Sequence, residues 1–282
     1  MQRSRRFFSL GCQKGWFVWR SLGAWRRSLV WVVLGVWVIA IAGCQVRELR
    51  RDEAQGSQLV LATLSDPKTF NYANNQTFPN IFLFAYEGLT RENGVTREVE
   101  PALAESWQIS EDKKRVVFTL REGLRWSDGA PLTADDVVFT YRDVIFNPEI
   151  PTDAKDALRI GPNERFPNGV FPSVRKVGDR QVEFLLPEPF APFLRATAGP
   201  DGVVIMPKHK LEAALKTKGS DGNLKFISTW NTDTPPQEIV VNGPYRLESY
   251  TPGQRLVFRR NPNYWRKDGA GNALPYIERI VW

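Results

Sequence analysis

The sequence predicts a mixed α/β fold of short strands and short helices, on three observations. Two segments alternate apolar and polar residues with the period of a strand: Val116, Phe118, Leu120 and Val182, Phe184, Leu186. A third opens with Thr133-Ala134-Asp135-Asp136 and then spaces Val137, Val138, Tyr141, Val144 and Ile145 to form one apolar helix face. Glycine and proline turns separate such segments throughout, and no internal repeat appears.

Along the chain, Leu59-Val60-Leu61-Ala62 suits a short buried strand, ended by Asp66-Pro67. Residues 78–89 (FPNIFLFAYEGL) are expected to form a buried helix closed by Gly88. Ser127-Asp128-Gly129 signals a turn after the first alternating strand. Thr133 then starts a capping box, and Asp135 and Asp136 stand at the positive helix end where acids are favoured. Residues 147–172, rich in proline and glycine, are expected to be loop. Gly178-Asp179 turns the chain into the second alternating strand. Near the end, Tyr245–Tyr250 and Arg255–Arg260 bracket Thr251-Pro252-Gly253-Gln254, which predicts a hairpin on a type II turn.

The first 44 residues differ from the rest. They hold seven Lys or Arg and no Asp or Glu, which leaves 31 bases against 31 acids in the remainder. The net charge of +7 therefore belongs to a leader rather than to a surface for nucleic acid, and no nucleic-acid partner is expected. After Arg26-Arg27, residues 28–42 are an uncharged apolar run. As a helix it would rise roughly 22 Å, short of the ~30 Å hydrocarbon core, so a signal peptide is favoured over a membrane span. Ile41-Ala42-Gly43-Cys44 resembles the lipobox of bacterial lipoproteins, which makes Cys44 the expected lipidation site. Ser4-Arg5-Arg6-Phe7-Phe8 resembles a twin-arginine signal, but the apolar run starts about twenty residues later, which favours the general secretory route. Residues 45–57 are polar and are expected to be a flexible tether.

Enzymatic readings lack parts. Both cysteines, Cys12 and Cys44, lie in the leader, so the remainder has no thiol nucleophile, disulfide or Cys-ligated metal. The single histidine, His209, beside Lys208 and Lys210, is expected to be a solvent-facing or capping residue at a helix start. There is no Gly-x-Ser-x-Gly elbow, no metal-ligand spacing and no phosphate-cradling Gly-Lys-Ser/Thr loop. No metal, no cofactor and no catalytic activity are expected. Trp107, Trp126, Trp230 and Trp265 are expected to serve packing.

Longer strings carry more. Residues 101–107 (PALAESW), 118–129 (FTLREGLRWSDG) and 132–140 (LTADDVVFT) are followed by 242–247 (NGPYRL), Pro252-Gly253-Gln254, 261–265 (NPNYW) and 274–280 (LPYIERI). In this order, across residues 58–282, they closely resemble the signature of family 5 extracellular solute-binding proteins, which serve peptide and nickel ABC importers.

The resemblance implies a type II periplasmic-binding-protein clamshell, two lobes closing over a ligand. Residues 58–88 would open the first lobe, 89–200 would form an additional domain inserted in it, and 201–282 would return to it. The family continues for about as many residues again. Ending at Trp282, the sequence is expected to be a truncated or split frame in which the second lobe is absent. The implied function is a substrate-binding lipoprotein outside the cytoplasmic membrane, lipid-anchored and passing a peptide or similar small solute to ABC importer permease subunits. The alternatives are an inert fragment of a split gene and a sensor lipoprotein uncoupled from transport. By position in the family pattern, ligand contacts are expected at Asp66, Pro67, Lys68 and Thr69 after the first strand. Thr197, Ala198 and Gly199, near the return to the first lobe, and Asn242, near a hinge strand, complete the expected set.

Overall fold

The computed structural model describes residues 57–63, 65–74 and 81–282. The leader, Cys44 and the tether up to residue 56 lie outside these residues. In chain order the elements are β1 (Gln58–Val60), α1 (Phe82–Ala85), β2 (Thr90–Glu92), β3 (Val99–Pro101), β4 (Ala104–Ile109) and β5 (Arg115–Leu120). Then come α2 (Ala134–Val138, continued as a π-helix over Phe139–Ile145), β6 (Ser173–Gly178), β7 (Gln181–Leu185) and α3 (Phe193–Ala196). The chain ends with α4 (Lys208–Leu215), α5 (Lys225–Ser228), β8 (Tyr245–Thr251), β9 (Arg255–Arg260) and β10 (Arg279–Val281).

Two four-stranded sheets organise the molecule. The first has the order β1-β10-β9-β8, antiparallel except for the parallel β1–β10 pair. Its hairpin turns as the sequence predicts: Gln254 N–H donates to the Thr251 carbonyl at 3.1 Å, and Gly253 takes φ +69°, which only glycine adopts freely. Leu247, Leu256, Phe258 and Ile280 bury one face of this sheet. Phe84 of α1 lies against that face, 5.6 Å from the Trp282 ring and 6.0 Å from Phe258.

The second sheet, β4-β5-β7-β6, is fully antiparallel. Its aromatic face meets the π-helix, where Tyr141 and Phe184 pack edge to face at 4.8 Å. On the opposite face Glu183, 1 % exposed, is paired by Arg115 and Arg175 of the flanking strands. Arg175 first, then Arg115, holds this carboxyl below the usual range.

The capping box forms as read from sequence: Thr133 N–H donates to Asp136 Oδ2 at 2.9 Å, and Thr133 Oγ1 accepts from Asp135 N. Asp136 Oδ1 also accepts from Lys208 N at 3.0 Å, so the same carboxylate fixes the start of α4. The helix widens after Val138, where Thr140 Oγ1 bonds back to the Asp136 carbonyl and accepts from Met206 N, both at 2.8 Å.

Three local expectations are corrected. The apolar run at residue 59 does form a strand, but an exposed one: β1 pairs only with β10 among the described residues, and Val60 is 66 % exposed. Of the helix expected over 78–89, residues 78–80 lie outside the described residues, and from 81 on only the single turn α1 forms, because Tyr86 is already extended. The 147–172 loop carries structure: Thr152 caps a 3₁₀ helix over Asp153–Leu158, and Ile160 pairs with Val170. Buried Ile150, Leu158 and Ile160 hold it down.

Candidate functional site

Residues 86–90 cross between the two sheets, and the backbone is so crowded there that only glycine fits at 88. A Cβ on Gly88 would stand 2.3 Å from Gly199 N, 2.5 Å from Thr197 O and 2.7 Å from Val203 O. Gly88 is thus a crossing point rather than a helix cap. Gly243 is likewise pressed onto the end of α1, where an added Cβ would stand 2.5 Å from the Ala85 carbonyl carbon.

Side chains lock this crossing from both directions. Asn242, 2 % exposed, accepts from Glu87 N–H at 2.8 Å and donates to the Glu87 and Ile205 carbonyls at 3.4 Å. The half-buried Glu87 carboxylate receives the Tyr264 hydroxyl at 2.5 Å and the Trp265 indole N–H at 2.6 Å. Arg121, from the second sheet's side, stacks on the Trp265 ring at 4.1 Å. Asn263 donates to the carbonyls of Trp126 and Ser127 at 3.2 and 3.3 Å. The 261–265 block is therefore a clamp between the two sheets.

Burial pushes the Glu87 carboxyl above its ordinary range, against the opposing pull of Tyr264, Trp265, Arg266 and Arg91. The fold thus favours the protonated acid, and its contribution is complete at acid pH and lost as pH rises through the elevated value. Glu87→Gln removes this dependence. The melting temperature of the native chain minus that of Glu87→Gln should fall by a few degrees between acid and mildly alkaline pH. A difference that stays constant across that range would contradict this account.

The expected ligand residues separate into two groups. Thr197, Ala198 and Gly199 lie on one side of the 86–90 crossing and Asn242 on the other. Thr197 is fully buried, its hydroxyl 3.0 Å from that of Thr90. Ala198 is buried and bridges to Thr90. Asp66, Pro67, Lys68 and Thr69 lie elsewhere. Asp66 is exposed and accepts from Gly253 N–H at 2.7 Å, tying the chain to the tip of the β8–β9 hairpin. Pro67 is buried, Lys68 is exposed, and Thr69 Oγ1 donates to the Trp230 carbonyl.

Beside Asp66 and Pro67 opens a groove of about 360 Å³, lined also by Leu61, Ala62, Thr63 and Trp282. Leu61 N–H still bonds to the Val281 carbonyl at 2.8 Å, but the backbones of Ala62 and Thr63 make no hydrogen bond to any described main chain. The chain therefore offers free donors and acceptors along one wall of the groove. Sequence reasoning reached Asp66 and Pro67 but missed Leu61–Thr63 and Trp282, whose shared wall forms only when β1 meets β10. It also missed Glu87; the signal was the 261–265 block, where nearly every side chain carries a hydrogen-bonding tip.

His209 is exposed at the start of α4, as expected from the sequence. Its Nε2 is 2.9 Å from Asp128 Oδ2, and its ring rests 6.2 Å from that of Trp126. Trp126 and Trp230 are buried as packing residues.

Comparison with known proteins agrees with this architecture. The family model for bacterial extracellular solute-binding proteins, family 5 Middle, matches residues 98–282. A probable ABC transporter-binding protein of Deinococcus radiodurans is 30% identical over 232 residues, 81% of this chain and 37% of that protein. The dipeptide-binding protein of Escherichia coli is 31% identical over 241 residues, 81% of this chain and 41% of its own length. Among solved structures, the periplasmic binding protein MelB of Agrobacterium fabrum, in complex with stachyose, superposes with a TM-score of 0.68 at 26% identity, covering 80% of this chain and 34% of MelB. The chain thus spans a little over a third of the length of such relatives, and its fold is part of a type II periplasmic binding protein. By the family model's match and the order of its motifs, the chain belongs to the family 5 bacterial extracellular solute-binding proteins.

Proposed function

We propose that this chain serves as the substrate-binding lipoprotein of an ABC importer, capturing peptides outside the cytoplasmic membrane and presenting them to the permease, with Cys44 carrying the lipid anchor. The observation that carries the peptide reading is the groove beside β1, where the free main chain of Ala62 and Thr63 can pair with an extended peptide as an added strand. Asp66 at one end of that wall would meet a peptide's amino group, and Lys68 nearby is free to meet a carboxylate. In this reading Thr197, Ala198, Gly199 and Asn242 hold the frame behind the groove rather than touch the solute.

The division into lobe segments 58–88 and 201–282 with an additional domain at 89–200 has support in the topology. The first sheet draws its strands only from the two outer segments, and β2 to β7 all fall in the inserted one. An oligosaccharide is the second reading: Trp282 could stack on a sugar ring, and MelB holds stachyose. Titrating the full chain with mixed-sequence short peptides, and separately with stachyose, decides between them. Peptides should bind saturably, and Ala62→Pro, which deletes one main-chain donor at an exposed position, should weaken them about tenfold with the melt unchanged. Saturable binding of stachyose alone would favour the second reading.

A further inference from the structure

The face of the first sheet turned away from α1 carries a row of exposed arginines beside the segment at Pro236 and Gln237. In register across three adjacent strands, Arg279 of β10 stands opposite Arg259 of β9, which stands opposite Arg246 of β8. Arg255, four residues before Arg259 on the same strand, stands apart from this row, at the groove beside β1. Like charges directly opposite one another destabilise a sheet, so such a row needs a counter-charge. Among the described residues the one carboxylate within ion-pair distance of the row is Glu248, which bridges Arg259 at 3.2 Å and Arg279 at 3.1 Å. Arg246 has no carboxylate partner among the described residues. Neighbouring strands lie about 4.8 Å apart, so the row spans roughly 10 Å and presents its guanidinium groups side by side. Planar, weakly hydrated guanidinium groups in this array suit phosphate oxygens.

The position of the row selects the source of the phosphate. Gln58 of β1, the first described strand, stands opposite Arg279, so the row reaches the strand that follows the segment from Cys44 in sequence. Only thirteen residues separate Gln58 from Cys44, a span of at most roughly 45 Å even when fully extended. Val60, 66 % exposed on the same edge strand, adds an apolar contact beside the charges.

We propose that this face docks on the anionic phospholipid surface of the membrane, through Arg246, Arg259 and Arg279. The choice of membrane over a soluble phosphate compound rests on the anchor at Cys44 proposed above. Each arginine held near an anionic bilayer strengthens binding about fivefold, so the row as a whole is worth on the order of a hundredfold.

The test is made on the full chain with Cys12→Ala, Cys44→Ala and Ser249→Cys. Position 249 then carries the only thiol, on β8 in register with Val257 of the same face, and takes an environment-sensitive fluorophore. Because Cys44 is absent, the result does not depend on lipidation. The apolar leader alone should bring the chain to any vesicle without moving the label. Phosphatidylcholine vesicles containing about 30% phosphatidylglycerol should shift the emission to the blue, and pure phosphatidylcholine should not. Arg246→Gln with Arg259→Gln and Arg279→Gln should abolish the shift. Arg246→Gln alone, which breaks no ion pair, should weaken the response about fivefold and keeps the test valid if the triple variant fails to fold. Equal shifts on both vesicle types, or an unaltered response in Arg246→Gln, would overturn the proposal. So would a shift produced by inorganic polyphosphate but not by anionic vesicles, which would make the face a site for a soluble anion.

Discussion

Gly88→Ala is expected to destabilise the chain by about 3 kcal/mol, near the upper end for an overpacked position, and to lower its melting temperature by about 10 °C. The added methyl would meet three main-chain atoms, of Gly199, Thr197 and Val203, all within 2.7 Å. Backbone atoms in a packed crossing cannot rotate away as a side-chain end can. Gly94→Ala is the matched control, since nothing lies within 4 Å of its Cβ position, and it should leave the melt almost unchanged. Equal melts for the two variants would show that the 86–90 crossing is looser than described.

Asn242→Ala is expected to cost about 2–3 kcal/mol, because it leaves the Glu87 N–H without its acceptor at a site from which water is excluded. The same amide also ties the Glu87 and Ile205 carbonyls together, so the loss should loosen the join between residues 86–90 and the irregular segment entering α4. The account predicts that stability carries the effect. Below its melting temperature, the variant should keep peptide affinity within about threefold of the native chain. A loss of peptide affinity near a hundredfold with an unchanged melt would instead put Asn242 in contact with the solute.

The features legible in the sequence were those decided by near neighbours. Thr133 and Asp136 are three residues apart and form their box whatever surrounds them. The 251–254 turn is written in Pro252-Gly253, and the strands of the second sheet in the alternation at 116–120 and 182–186. Where a distant partner decides, the sequence misleads. Leu59-Val60-Leu61 has the composition of an interior strand, but among the described residues β1 finds a neighbour on one side only, and that neighbour, β10, lies more than 200 residues away. The apolar run at 78–89 suits a buried helix and a buried extended chain equally well, and the choice is made at Gly88 by residues 197–203.

The candidate site divides in the same way. Asp66 and Pro67, which follow directly from the family pattern, do line the groove. Glu87 sits between Tyr86 and Gly88 with no motif around it, and its two hydrogen-bond donors are supplied almost 180 residues later. The arginine row is invisible to a reading along the chain, because its members come together only through the register of β8, β9 and β10.

The central claim, that an extended solute pairs with the chain beside β1, is tested most directly by amide hydrogen exchange of the full chain with and without a saturating mixture of short peptides. The account predicts slowed exchange at residues 61–65 and at the facing hairpin residues 253–256. It predicts no change in the apolar groove of about 580 Å³ on the second sheet, lined by Leu186, Phe190 and Phe193. Protection confined to that second groove, with residues 61–65 exchanging as before, would contradict it.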